Sequence, residues 1–530
     1  LLKNSNLSEV DLMELMISTF TLVIAAAISI IIAQAIDKVS VNYVSMIIGI
    51  IIGLIPLLNS QVASFDSEIF MELIIAPLLF FEGQKTRIHN ISRRIKEIIG
   101  LTVIMVLLAL IISGFSIYLF TSISLPLAFI ICSISTPTDA TASEAVTNGL
   151  RMPRRVTSSL KAESLFNDAS GIILLNMSLL WFANGYINYG QTIHDFFVSS
   201  LGGAVLGFAV AWIIIIFRQS LIRSRFNSLN AQNLIYILTP LALYALAEDL
   251  HVSGIIAVVV AGLLHNAESQ QSLLLNSRQI HMGRDLQNLI SDIFNSMVFI
   301  ILGLMMVRIS RNKLFNGDLA KWILVGFIVY LANLLVRYVY GRLVIRYDRR
   351  ESTVFSLGGI HGAVTLALAL TISANFLGTK NYNLVIMSEA VLIILSMLVP
   401  TIIFQFILPH EVSDEEAHIV MEKIRNEMVK RALISVHKMY LPKRVKRHVI
   451  YTLLNQKRVV KTREYMRVLL KTIDQPNLTI SEQYLQRLAF FRAFAIEREY
   501  LEMIGQKESK YRTYILSLYN DVLLAESLII

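Results

Sequence analysis

Cysteine is nearly absent from this chain: Cys132 stands alone among 530 residues. A single thiol excludes an intrachain disulfide framework and suits an intracellular or membrane setting. Charge is scarce as well. Asp, Glu, Lys and Arg make up 16% of the residues, where soluble domains carry roughly 25%. Apolar residues fill the gap, at 55% of the chain with a mean hydropathy of +0.62. That balance excludes a soluble globular protein and predicts a polytopic membrane protein. The formal net charge of +9 is no sign of nucleic-acid binding, because the basic residues sit in short loops between apolar runs. No cleavable signal peptide is expected, since the first apolar run is too long for the core of one and lacks a basic leader.

The apolar runs fall near residues 14–36, 41–58, 68–83, 97–120, 123–149, 157–183, 195–217, 232–248, 251–265, 285–307, 319–341, 353–377 and 382–408. Most reach the ~20 residues that span a bilayer, which predicts about thirteen transmembrane helices. Stretches 85–96, 151–161, 218–225 and 342–350 are dense in Lys and Arg and share one side if the spans alternate. That side is expected to be the cytoplasm, with the N-terminus outside and the C-terminus inside. Stretch 185–195 has no Lys or Arg and falls outside; stretch 308–321, with four, breaks the rule there. Residues 1–408 are thus expected to form the membrane part. From Pro409 onward charge and apolar residues mix with helical periodicity, so 409–530 predicts a cytoplasmic helical domain with room for a regulatory role. That tail has no Gly-rich nucleotide fingerprint. Its basic stretch 443–461 either lies against anionic lipid or forms the solvated face of a bundle.

The chain is organised around residues 161–175, KAESLFNDASGIILL. Ionisable side chains at membrane depth cost ~2.5–3.5 kcal/mol each and mark ion or substrate paths. Ser164 and Asp168 are four apart and share a helix face, while Glu163 and Asn167 form a second pair one residue round. Asp168 has the character of an ion ligand with neutral helpers, and Glu163 needs a partner from another helix. Two runs are interrupted. The fifth gives way at Ser135, Thr136, Pro137, Thr138 and Asp139, where Pro137 removes a backbone donor. The twelfth breaks at Gly358, Gly359 and Gly362 around His361. Irregular backbone inside a membrane persists only where protein or a wet cavity satisfies it, and two such breaks in corresponding halves point to a transporter binding site.

The strings TPTDATASEAV (136–146), AESLFNDASGI (162–172) and GGIHGAVTLALAL (358–370) resemble the monovalent cation:proton antiporters, in the sodium/proton exchanger branch with an Asn-Asp pair. LLFFEG (78–83) and LAEDLHVSGIIAVVVAGLLHN (246–266) resemble the same family. The resemblance implies an all-α fold of inverted repeats, with a dimerisation part beside a core where two discontinuous helices cross. It implies that Asp168 binds cation and proton in turn, that Asn167 organises the site, and that Thr138, Asp139 and Ser164 supply further oxygens. An Asn-Asp pair goes with electroneutral exchange in that family. The chain departs from the pattern at Ala140, where a second proline is usual, and at His361, where an arginine usually pairs with the equivalent of Glu163. A pH-dependent Glu163–His361 pair is the expectation here; a protonated Glu163, or another base such as Arg337 reaching in, are the alternatives.

Oxygen ligands suit a hard cation such as sodium. Burial disfavours a charged carboxylate, so proton and cation compete for Asp168, and competition alone gives obligatory exchange if the empty charged site crosses poorly. The expected function is sodium (or lithium)/proton antiport by a homodimer in the plasma membrane, with no cofactor and no enzymatic activity. Potassium/proton antiport is the alternative within the class. An intramembrane aspartyl protease using Asp139 and Asp168, or a membrane sensor, are the alternatives outside it. Glu82, ending the third run, either lines a cytoplasmic funnel or pairs with Lys85 or Arg87.

Overall fold

Apolar runs wind into helices because a bilayer offers backbone N–H and C=O groups no partners but one another. The computed structural model describes residues 9–36, 40–62, 67–85, 95–147, 149–186, 189–223, 228–271, 277–310, 318–409, 414–456 and 478–529. Most of the basic stretch 85–96 and parts of 185–195, 218–225, 308–321 and 443–461 lie outside the described residues. The described residues form helices and no strand.

Helices α1 (Glu9–Ala35) and α2 (Val41–Leu54) come first, with the Ser40 hydroxyl capping α2 by accepting the Asn42 N–H. A π-wound stretch at Met71–Ile75 leads into α3 (Ala76–Lys85), and another at Gly100–Met105 leads into α4 (Val106–Phe120). There follow α5 (Leu125–Ile134), α6 (Ala140–Val146), α7 (Arg154–Asn184), α8 (Tyr189–Arg223), α9 (Leu229–Asp249), α10 (Gly254–Gln271) and α11 (Ser277–Ser310). The first unit ends with α12 (Asp318–Leu343), α13 (Arg349–Leu357), α14 (Ala363–Thr371) and α15 (Thr379–Ile407).

Every apolar run read from the sequence contains helix. Seven stretches are long and apolar enough to cross a membrane alone: Met16–Ala35, Lys96–Phe120, Arg154–Asn184, Val198–Leu221, Met282–Ser310, Leu319–Leu343 and Thr379–Ile407. The other helices are shorter, broken or less apolar, so length and composition give seven spans where about thirteen are expected from the sequence. The bundle is inside out relative to a soluble protein. Leu119 and Phe120 are 72% and 74% exposed, whereas Glu163, Asn167, Asp168 and His361 are buried.

Two breaks shape its centre. Residues 135–139 interrupt α5 and α6, and residues 358–362 interrupt α13 and α14. Pro137 has no N–H to continue the helix. Asp139 restarts it as the N-cap of α6, its side chain accepting the Ala142 N–H at 3.0 Å. The two unwound segments strap to each other, the Asp139 N–H donating to the Ile360 carbonyl at 2.7 Å. A Cβ on Gly362 would strike the Asp139 carboxylate, and one on Gly359 would strike the Arg337 guanidinium. Glycine at both positions is what lets the segments approach.

The chain divides into two compact units at Leu408, with residues 149–151 grouped with the second. In that unit α16 (Asp414–His437), α17 (Lys443–Asn455), α18 (Ile480–Lys507) and α19 (Arg512–Ile529) surround a core that includes Met428, Val436, Val449, Leu453, Phe490 and Phe494. Burying each such side chain contributes about 1.5–3 kcal/mol. Thr479 and Glu482 close a capping box at the start of α18.

Candidate ion-binding site

The polar residues of α7 meet the first break. The Asn167 amide donates to the Thr138 hydroxyl at 2.7 Å. The Ser164 hydroxyl accepts the Ala140 N–H at 3.1 Å, satisfying one of the open donors at the start of α6. Asp168 lies beside them at 2% exposure, and its Oδ1 has no hydrogen-bond partner among the described residues. The Asn167 Oδ1 is likewise buried and unbonded. Two orphaned oxygens on adjacent residues cost about 1–3 kcal/mol each unless a ligand or water takes them. That is the donor set a hard monovalent cation requires: one carboxylate, one amide oxygen and hydroxyls nearby.

Three acids gather around this point. Glu82 at the end of α3 and Asp139 both act electrostatically on Asp168. The Thr141 hydroxyl bridges the other two, within 3.1 Å of Glu82 Oε1 and 2.7 Å of Asp139 Oδ1. Among the described residues, no three His, Cys, Asp or Glu side chains are placed to hold a metal ion between them. A cation at Asp168 would therefore take most of its ligands from neutral oxygens. The structure thus brings Thr138, Asp139, Ser164, Asn167 and Asp168 together, and adds Glu82 and Thr141. Glu82 was legible as an acid at a span end. Thr141 gave no signal, because a hydroxyl in the first turn of a helix is unremarkable in sequence.

The expected Glu163–His361 pair is not formed. Arg337 on α12 holds Glu163 instead, with Nη1 on Oε1 and Nη2 on Oε2, the latter at 2.9 Å. Its Nη2 also donates to the Phe355 carbonyl at 3.2 Å, and the guanidinium lies over the Phe355 ring at 4.7 Å. A planar fork satisfies a carboxylate at two points, which one imidazole cannot do. His361 has other work. Its N–H donates to the Ser396 hydroxyl at 3.0 Å, and its Nδ1 lies 2.8 Å from the Pro137 carbonyl. A carbonyl can only accept, so Nδ1 carries the proton. Thr365 donates to the same carbonyl at 3.1 Å. His361 thus belongs to the crossing, not to an ion pair.

A family model described as sodium/hydrogen exchanger, transmembrane, matches residues 21–409. A sodium, potassium, lithium and rubidium/H(+) antiporter of Bacillus pumilus is 30% identical over 380 residues, covering 68% of this chain and 56% of that protein. A protein of the same description from Bacillus subtilis is 29% identical over 447 residues, covering 80% and 66%. The chain thus spans less than two thirds of the length of either relative. Among solved structures, the sodium proton antiporter MjNhaP1 of Methanocaldococcus jannaschii at pH 8 is similar with a TM-score of 0.60 at 22% identity, over 73% of this chain and 97% of that one.

Proposed function

We propose, for a chain that belongs to the sodium/hydrogen exchanger family of monovalent cation:proton antiporters, that it exchanges sodium or lithium for protons at Asp168. The family is one of transporters and not of enzymes. The observation that carries the reading is the pair of buried, unbonded oxygens of Asn167 and Asp168 beside an interrupted helix. Asp168 holds either the cation or the proton. Asn167 fixes the unwound segment through Thr138, and Thr138, Ser164 and Asp139 border the ion. Glu163 with Arg337 ties α7 to α12 and carries no ion.

Alternating access follows if the core around the crossing moves against the remaining helices. A neutral residue, Asn167, stands before Asp168, which supports one cation per proton and electroneutral exchange. The same reading takes residues 1–408 as the antiporter domain of a homodimer in the plasma membrane, with the N-terminus outside. It takes 409–530 as a cytoplasmic, regulatory domain, in which α17 packs Val445, Val449 and Leu453 into the bundle core and leaves Lys443, Arg444 and Arg447 on its solvated face. Potassium is the second candidate cation, because two relatives carry it in their names beside sodium.

The test is proton flux in proteoliposomes with an imposed pH gradient, on adding sodium, lithium or potassium in turn. Dissipation by sodium or lithium, unaltered when the membrane potential is clamped, is the expected result. Dissipation by potassium alone would reassign the cation. No dissipation by any of the three would overturn the exchange reading.

A further inference from the structure

One buried acid has no place in the site above. Glu389 on α15 is 1% exposed, and neither of its carboxylate oxygens has a hydrogen-bond partner among the described residues. It lies in a span of mean hydropathy 2.5. A charged carboxylate there, without a partner, is strongly disfavoured against its protonated form.

Its place in the fold follows from its neighbours. Ser396, seven residues on and two turns along the same face, receives the His361 N–H at the crossing. Toward its C-terminus α15 reaches the start of α13, where Arg350 donates to the Ile407 carbonyl at 2.6 Å. Thus α15 passes α13 on one side of the crossing and α14 on the other, and Glu389 lies on the α14 side. Glu82 accepts from Thr141 in α6. Helix α6 leads within a few residues to the start of α7, where the Ser159 hydroxyl bonds that of Tyr347, just before α13, at 2.7 Å, so α6 leaves the crossing on the α13 side. Glu82 and Glu389 are therefore on opposite sides of the crossing.

The surroundings of Glu389 select its ligand. The half-helices α5 and α14 pack against α15 there. From α5 the titratable group near it is the Cys132 thiol. The α14 sequence, AVTLALALT, holds no titratable residue. Helix α12 crosses at Ser388 through Gly326. Its Arg337 is committed to Glu163 and its Arg342 to the Tyr347 carbonyl, its Lys321 is exposed, and its Tyr330 hydroxyl is buried without a bond among the described residues. Arg308 at the end of α11 is held by Asn59 and Val62. Among the described residues no side chain is bonded to either Glu389 oxygen. A hard cation needs several oxygens, and a thiol is a poor substitute. A proton needs only the carboxylate.

We propose that Glu389 is a second proton-binding site, on the side of the crossing opposite Glu82, and that its occupancy changes during the exchange cycle. Packed against α5 and α14 it holds a proton as a neutral acid. When those half-helices part to open Asp168 to that side, water reaches the carboxyl, which releases the proton to it and regains one on closure. The release and uptake balance, so the site regulates exchange with protons of that compartment without consuming a cation. The proposal rests on the exchange reading for its role in a cycle, but not for the existence of the site.

The test is infrared difference spectroscopy of the full chain in lipid, titrated with pH and with sodium, in wild type, D168N, E389Q and E389D. The expected result is a protonated-carboxyl band that changes with pH or sodium, persists in D168N, vanishes in E389Q and moves in E389D. Carboxyl bands in E389Q identical to wild type, or a Glu389 band indifferent to pH and sodium, overturn the proposal. If E389Q does not fold, E389D decides: a titrating band at the wild-type position means that it never belonged to residue 389. In flux assays E389Q is expected to shift the pH dependence on the far side several-fold while sodium affinity stays within about twofold. Wild-type flux that fails to respond to any cation, with the band still titrating, overturns the exchange reading and leaves the proton site standing.

Discussion

Arg337 and Glu163 are 6% and 1% exposed, so neither can lose its partner to water. Replacing Arg337 by alanine strands a buried carboxylate and is expected to destabilise the first unit by about 3–5 kcal/mol. Thermal unfolding in detergent checks this, and a loss under about 1 kcal/mol would contradict the buried pair. The double variant E163Q/R337M should recover much of that loss, because it strands no charge. His361 gives the opposite expectation. Its ring donates to the Pro137 carbonyl, so H361Q, which keeps a donor, should leave the pH profile of flux unchanged. A displaced profile would return His361 to a titrating role. That Glu163 needed a partner was legible from one residue in an apolar run. Which partner was not, since Arg337 lies 174 positions away and only folding chooses between bases at that distance. Arg337 itself, an arginine inside a span, carried the same warning as Glu163.

At the scale of elements, the two broken helices are what the sequence announced most clearly. Pro137 and the glycines at 358, 359 and 362 cannot continue a helix comfortably, and both breaks fall where they stand. The strap between them was not legible. The Asp139 N–H to Ile360 carbonyl bond, and the double use of the Pro137 carbonyl, join segments more than 200 residues apart with no periodic pattern behind them. The strap makes a sharp prediction. G362A places a methyl against the Asp139 carboxylate, and should cost about 1–3 kcal/mol by overpacking. Because it also pushes the two segments apart, flux should fall much further than stability, at least tenfold in a protein that still folds. Flux that tracks the modest stability loss would mean that the crossing tolerates separation.

The whole molecule joins a lipid-facing unit to a second helical unit with its own core, and the second carries a titrating group of its own. Glu497 on α18 is fully buried, and burial pushes its carboxyl up to about 7 against the opposing pull of the Gln456 amide. The folded state then keeps a proton that the unfolded chain, with an ordinary carboxyl near ~4.3, has lost. The stabilisation is complete below that ordinary value and is lost as pH rises through about 7. Helices α16 to α18 should therefore exchange amide hydrogens faster at pH 8 than at pH 6 after correction for intrinsic rates. The difference between those two pH values is about 1.4 kcal/mol, because only the last pH unit below the folded value of about 7 lies between them. E497Q should abolish most of that difference; equal slopes in the two proteins would contradict it. Nothing in the tail sequence singled out Glu497, because a glutamate in an amphipathic helix is ordinary until the fold turns it inward.

The central claim is that one carboxylate serves two ions in turn. Calorimetric sodium binding to the full chain, repeated at several pH values and in buffers of different ionisation enthalpy, tests it most directly. Competition at Asp168 predicts that sodium binding releases protons, that the apparent affinity falls as pH falls, by up to tenfold per pH unit, and that D168N binds no sodium. Sodium bound by D168N with wild-type affinity, or bound by the wild type without proton release at any pH, would contradict the account.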